Sequence, residues 1–117
     1  MKRYRTVVTY KEYFERFLEQ QTPKVQTKIL QILRIIEGVE LVPDNYLRSI
    51  KGTNGLFEIR VIFGGNIFRV FCFFDSGKLV VLLSGFQKKT QKTPKREIEK
   101  AISLMNEYFT EKKQYEN

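Results

Sequence analysis

Histidine is absent from this chain, tryptophan is absent, and cysteine occurs once, as Cys72. A single cysteine excludes an internal disulfide and fits a reducing compartment such as the cytoplasm. Cys72 lies in the apolar run Phe71-Cys72-Phe73-Phe74, the setting of a small core residue, and no histidine is present to activate it as a nucleophile. No apolar run approaches the roughly 20 residues that would span a bilayer. The start, Met1-Lys2-Arg3-Tyr4, has charge but no apolar stretch behind it, so no signal peptide and no membrane partner are expected. Acids are also scarce: 13 against 21 basic residues, a net charge of +8. That excess favours a polyanionic partner, although a soluble protein can be basic without one.

What is present is one domain's worth of patterned chain, residues 1–117. Hydrophobic residues are 42% of it, with ten Phe and six Tyr, so aromatic packing carries much of the core. Tyr4 to Val8 reads as a short edge strand. Thr9-Tyr10-Lys11-Glu12 has the form of a capping box opening a first helix, with Tyr10, Tyr13, Phe14, Phe17 and Leu18 as its stripe. Thr22-Pro23 opens a second helix striped by Val25, Ile29, Ile32, Leu33 and Ile36 and ended by Gly38. The short link predicts an antiparallel helical hairpin. Residues 40–54 have loop composition. Three strands follow, Leu56 to Phe63, Ile67 to Phe74 and Lys78 to Phe86, separated by tight-hairpin sequences. Thr93-Pro94 opens a last helix with Ile98, Ala101, Ile102, Met105 and Phe109 inward, and the polar end 110–117 is expected to fray. The fold class is α+β: an N-terminal helical hairpin and a C-terminal helix on a small antiparallel sheet.

Strand alternation locates the chemistry. A two-residue Gly64-Gly65 turn sets Arg60 opposite Arg69; a Gly65-Asn66 turn makes them diagonal, and either register puts both on one face. A Ser76-Gly77 turn would set Arg69 opposite Ser84, with Phe86 and Lys88 on the same face. That face then collects Glu58, Arg60, Arg69, Ser84, Phe86 and Lys88, while the other is wholly apolar and should pack on the helices. Two arginines opposed across a sheet repel. Either Glu58 bridges them or an anion does, and the planar guanidinium fork suits phosphate. From Lys88 to Arg96 the basic residues are Lys88, Lys89, Lys92, Lys95 and Arg96, with no acid among them. This is either a solvated loop or an anion site beside a helix N-terminus. Phe86 is either a base-stacking aromatic or a rim residue of the core. Arg48 and Lys51 add charge at the start of the sheet.

Three segments, Gly55-Leu56-Phe57-Glu58-Ile59-Arg60, Phe68-Arg69-Val70-Phe71 and Leu82-Leu83-Ser84-Gly85-Phe86-Gln87-Lys88-Lys89-Thr90-Gln91-Lys92-Thr93-Pro94, together resemble the HigB-like, phage-derived branch of the RelE/ParE toxin superfamily of type II toxin-antitoxin systems. The resemblance implies a RelE-like fold and a ribosome-dependent messenger RNA endoribonuclease in the cytoplasm. It implies a helix-turn-helix antitoxin as partner and a metal-independent reaction with no cofactor. In that reaction the RNA 2′-hydroxyl attacks the neighbouring phosphate and leaves a cyclic phosphate. By position Arg60 and Arg69 match the family's phosphate-stabilising basics, and Lys88 and Lys89 its basic pair after the third strand. The expected catalytic residues are thus Arg60, Arg69 and Lys88, with Glu58 a candidate base, and the charge and face pattern adds Arg48, Lys51, Phe86, Lys89, Lys92 and Lys95 as expected RNA-binding residues. Many relatives carry histidine where this chain has Ser84, so the base falls to Glu58 or to a lysine whose pKa neighbouring cations depress. Two other readings stay open: a ParE-like gyrase poison, and a non-enzymatic RNA- or protein-binding module.

Overall fold

The computed structural model describes residues 2–89 and 92–116. Thr90 and Gln91 of the basic motif and Asn117 of the tail lie outside them. In chain order the elements are β1 (Thr6–Thr9), α1 (Tyr13–Glu19), α2 (Pro23–Gly38), β2 (Leu47–Ser49), β3 (Leu56–Phe63), β4 (Asn66–Asp75), β5 (Leu79–Lys88) and α3 (Lys95–Glu116). The strands form one sheet in the order β1-β5-β4-β3-β2. The meander of β3, β4 and β5 is antiparallel, as its turn sequences predict, and β2 extends it antiparallel on β3. β1 pairs parallel to β5, so the sheet is mixed and not purely antiparallel. β2 falls within the stretch that composition assigns to loop.

Both faces of the sheet are covered. On one, Ile59, Val61, Phe68, Val70, Cys72, Val80 and Leu82 meet Phe14 and Phe17 of α1 and the whole expected stripe of α2, Val25, Ile29, Ile32, Leu33 and Ile36. At roughly 1.5–3 kcal/mol per buried large aliphatic, that stripe is what fixes α2 on the sheet. Thr22 caps α2 by accepting from the Val25 amide at 3.3 Å, with Pro23 in the first turn. The helix runs through Gly38, and Arg5 closes its end by donating to the carbonyls of Ile36, Val39 and Glu40.

The hairpin expected of α1 and α2 is only partly formed, because α1 lies chiefly on β5 while α2 lies on β3 and β1. The capping box does not form. Thr9 is still strand, paired with Leu82, and its hydroxyl donates to Glu15 at 3.2 Å. Lys11 then turns the chain through a left-handed φ of 54°, and the helix begins only at Tyr13. The stripe of α1 is consequently divided: Phe14 and Phe17 face the first cluster, whereas Tyr10 and Tyr13 join the second.

That second cluster lies on the arginine face, where Leu56, Phe71, Phe73, Val81 and Leu83 pack under Ala101, Leu104 and Met105 of α3. Ile98 and Ile102 are half-buried there, and Phe109, 40% exposed, sets its ring against Phe73. The tail expected to fray from residue 110 is helical to Glu116. Its anchor is Asp75, buried at the end of β4, which accepts from the Tyr108 hydroxyl at 2.6 Å and from Lys112 Nζ at 2.9 Å.

Candidate phosphate-binding face

The first hairpin builds the site. Gly64 and Gly65 both adopt positive φ, 59° and 80°, as a two-residue turn of type I′ demands. Arg60 therefore stands directly opposite Arg69, the register expected from the Gly64-Gly65 loop. The second hairpin differs from expectation. Its loop has three residues, Ser76 to Lys78, so that Asp75 pairs with Leu79. Such a loop moves every residue of β5 to the other face. A β-bulge between Val70 and Cys72 moves the upper half back, and Arg69 opposes Phe86, not Ser84. The two departures offset each other, and Phe86 and Lys88 reach the arginine face. Gly85, inside a strand pattern, is the sequence signal for such a bulge. It also lies under α1: a Cβ there would be 2.5 Å from the Phe17 ring.

Three rows of side chains cross this face. Arg48, Glu58 and Phe71 form the first, Arg60, Arg69 and Phe86 the second, and Ile62, Ile67 and Lys88 the third. Arg69 is 5% exposed and donates to Glu58 Oε1 at 2.5 Å; Arg48 Nε approaches the same oxygen at 3.8 Å. Glu58 thus balances Arg69 and Arg48. Among the described residues Arg60 has no ion-pair partner. Burial first, then the positive charge of Arg69, holds the Lys88 ammonium below the usual lysine range. Arg60, Ile67, Lys88, Lys89 and the Gly65-Asn66 turn line an open groove of ≈ 700 Å³.

Four buried side-chain atoms among the described residues have no hydrogen-bond partner in the protein: Glu58 Oε2, Arg60 Nε, Arg69 Nε and Ser84 Oγ. Three of them, on Glu58, Arg60 and Arg69, belong to this one face, and Ser84 lies in the adjoining bulge of β5. Unsatisfied buried polar groups are costly and rare, and their concentration at one place points to a polar occupant.

The remaining expected residues divide. Arg48 joins the cluster through Glu58, and Lys89 lines the groove. Lys92 is exposed just before α3, and Lys95 opens the helix, exposed and 3.8 Å from Glu99. Lys51 lies in the connection between β2 and β3, at the end of β3 away from the Gly64-Gly65 turn, and the fold does not bring it to the groove. Phe86 stacks on the buried Phe71 with ring centroids 5.5 Å apart, so one of its faces is already occupied. Cys72 is fully buried in the opposite cluster, where burial pushes its thiol up and out of any reactive range.

A family profile described as Phage derived protein Gp49-like (DUF891) matches residues 16–106. Among solved structures the chain is similar to the RelE-RelB complex of the archaeon Pyrococcus horikoshii OT3, with 18% identity over 70% of this chain and 92% of that one, at a TM-score of 0.52. No curated protein matches. No helix of the described residues is long and apolar enough to cross a membrane. The profile spans most of the chain and the structural likeness shares its helices over a meander sheet: the chain belongs to the phage-derived Gp49-like family and has a RelE-like fold.

Proposed function

We propose that the chain is the toxin of a type II toxin-antitoxin system and that it cleaves messenger RNA on the ribosome. The observation that carries this reading is the pair of unpartnered guanidinium donors of Arg60 and Arg69, beside Lys88 on a face with excess positive charge. A phosphodiester supplies acceptors for these two arginine donors. In the reaction a lysine with a depressed pKa takes the proton of the RNA 2′-hydroxyl, and Lys88 is that lysine. The 2′-oxygen bonds to phosphorus, Arg60 and Arg69 hold the phosphoryl oxygens as charge builds on them, and the bond to the 5′-oxygen breaks. The products are a cyclic phosphate and a 5′-hydroxyl protonated from solvent. Glu58 is a positioning residue: its carboxylate holds Arg69 and Arg48, and its free oxygen is buried. Ser84, buried in the bulge, takes no proton. The reaction asks nothing of a metal or an organic cofactor.

The structurally similar RelE was solved with RelB. That likeness supports an antitoxin partner; on the proposed reading the antitoxin is a helix-turn-helix protein encoded beside the toxin, which it holds silent in the cytoplasm. Induced expression of the chain is the test. Translation arrest with new messenger RNA ends, mapped by primer extension, is the expected result. Arrest with intact messenger RNA and a DNA-damage response would assign a gyrase-poisoning toxin instead, and the absence of both would leave a binding module.

A further inference from the structure

We infer that Ile62 and Ile67 form a nucleobase platform beside the phosphate-binding row; this rests on the reading of that row as an RNA phosphate site. Ile62 and Ile67 are paired across β3 and β4, and Ile67 is paired in turn with Lys88. Directly opposed side chains stand about 5 Å apart at Cβ, so the two isoleucines make one continuous aliphatic surface. They lie two residues along their strands from Arg60 and Arg69, about 7 Å, on the same face. A nucleotide whose phosphate sits on Arg60 and Lys88 can therefore lay its base on them.

Ile62 is 50% exposed and Ile67 half-buried. A β-branched pair at the open end of a sheet has no folding reason to stay uncovered: strand propensity is equally met by threonine, and apolar contact is gained only with a ligand. Phe86, the aromatic in the row of the two arginines, is stacked on Phe71 and is not free on both sides. The isoleucines are therefore the open apolar surface nearest the cations. The charge of the surroundings decides the occupant. Arg60, Lys88 and Lys89 line the groove that contains Ile67, and among the described residues no acid does. A polyanion with an apolar face, which is a single-stranded nucleic acid, matches that combination. Two side chains flush on a sheet provide no pocket for the buried anchor of a protein partner.

The test uses the full chain and a short, end-labelled 2′-O-methyl RNA, with an abasic strand of equal length as control, in fluorescence anisotropy titrations over a range of salt. The base-bearing strand should bind more tightly than the abasic one. Ile62→Ala and Ile67→Ala should each lose up to about tenfold on the base-bearing strand, the free energy of about two buried methylenes. Neither should change the abasic affinity or the slope of log affinity against log salt, because no phosphate contact is removed. Arg60→Ala should lower that slope for both strands. Parent-like binding by both isoleucine variants would overturn the platform and leave the phosphate site standing, as would an equal loss on both strands. Failure of the parent to bind either strand would remove the phosphate site and the platform with it. An effect of the isoleucine variants on association of the chain with protein alone would assign the patch to a protein surface and overturn the proposal.

Discussion

Arg60 and Arg69 face each other across β3 and β4, yet only Arg69 is neutralised, by Glu58 at 2.5 Å. Opposed like charges cost up to about 1 kcal/mol. Here one member of the pair is buried in an ion pair and the other is left toward an open groove. The two arginines, chemically identical in the sequence, differ in the fold: Arg69 is buried and paired with Glu58, while Arg60 faces the open groove.

Substitution should separate them. Arg60→Ala should fold with nearly parental stability and lose translation arrest. Arg69→Ala leaves Glu58 buried without its partner and should lose about 3–5 kcal/mol in urea denaturation. Pairing it with Glu58→Leu should recover stability but not arrest. Parental arrest by Arg60→Ala at matched expression would contradict the ligand-facing role.

Lys88 should govern the pH dependence of cleavage. Its pKa lies below the usual lysine value, chiefly through burial and then through Arg69. A depressed pKa means that the neutral amine grows in at lower pH than for a free lysine, so the rate should rise with pH through that depressed value. Lys88→Arg keeps the charge but cannot deprotonate, and should flatten this limb while phosphate binding persists. An unchanged pH profile in the variant would place the proton acceptor elsewhere.

Gly85→Ala should lower stability by about 1–3 kcal/mol through overpacking. Its new methyl would meet three atoms of the Phe17 ring at 2.5 to 2.8 Å. Trimming the ring should relieve the clash, so a double-mutant cycle with Phe17→Leu should show favourable coupling. Additive losses would mean that α1 does not press on β5 at this point.

Acid and alkali should both loosen the end of α3, through different groups. The Tyr108 hydroxyl, then Lys112, hold the Asp75 carboxyl below its ordinary value. A depressed folded pKa gives stability that is present above the unfolded value and lost as pH falls through the folded one. Tyr108 is pushed up to about 12, by burial and then by Asp75. Its contribution is complete below the ordinary tyrosine value near 10 and is lost as pH rises through about 12. Urea midpoints measured against pH should show the acid loss disappear in Asp75→Asn and the alkaline loss disappear in Tyr108→Phe. An unaltered acid limb in Asp75→Asn would show that the contact does not hold the helix.

The paired arginines were legible because their placement depends on one short local element. Gly64-Gly65 admits a two-residue turn, and strand periodicity carries that register along β3 and β4 without outside help. Lys88 and Phe86 reach the same face by a different route, a three-residue loop offset by a bulge. Face alternation alone does not distinguish that route from a regular two-residue hairpin, since both leave Phe86 and Lys88 on the same side; Gly85 inside the strand is the one local sign of the bulge. The stripe of α2 was equally plain, because five aliphatics at helical spacing have one face to bury. Thr9 shows the opposite case: its capping signal is real, but pairing with Leu82 keeps it in the strand.

The sequence by itself determined the class of fold and the cationic face, properties of spacing and composition that act within a few residues, and its motifs carried the family resemblance. Only the tertiary structure decided that β1 joins β5 in parallel, that α3 covers half of the arginine face, and that Arg69 is neutralised while Arg60 is not. Those outcomes depend on contacts between residues distant in the chain, where burial and charge pairing are settled by which surfaces meet and not by the pattern of either one alone.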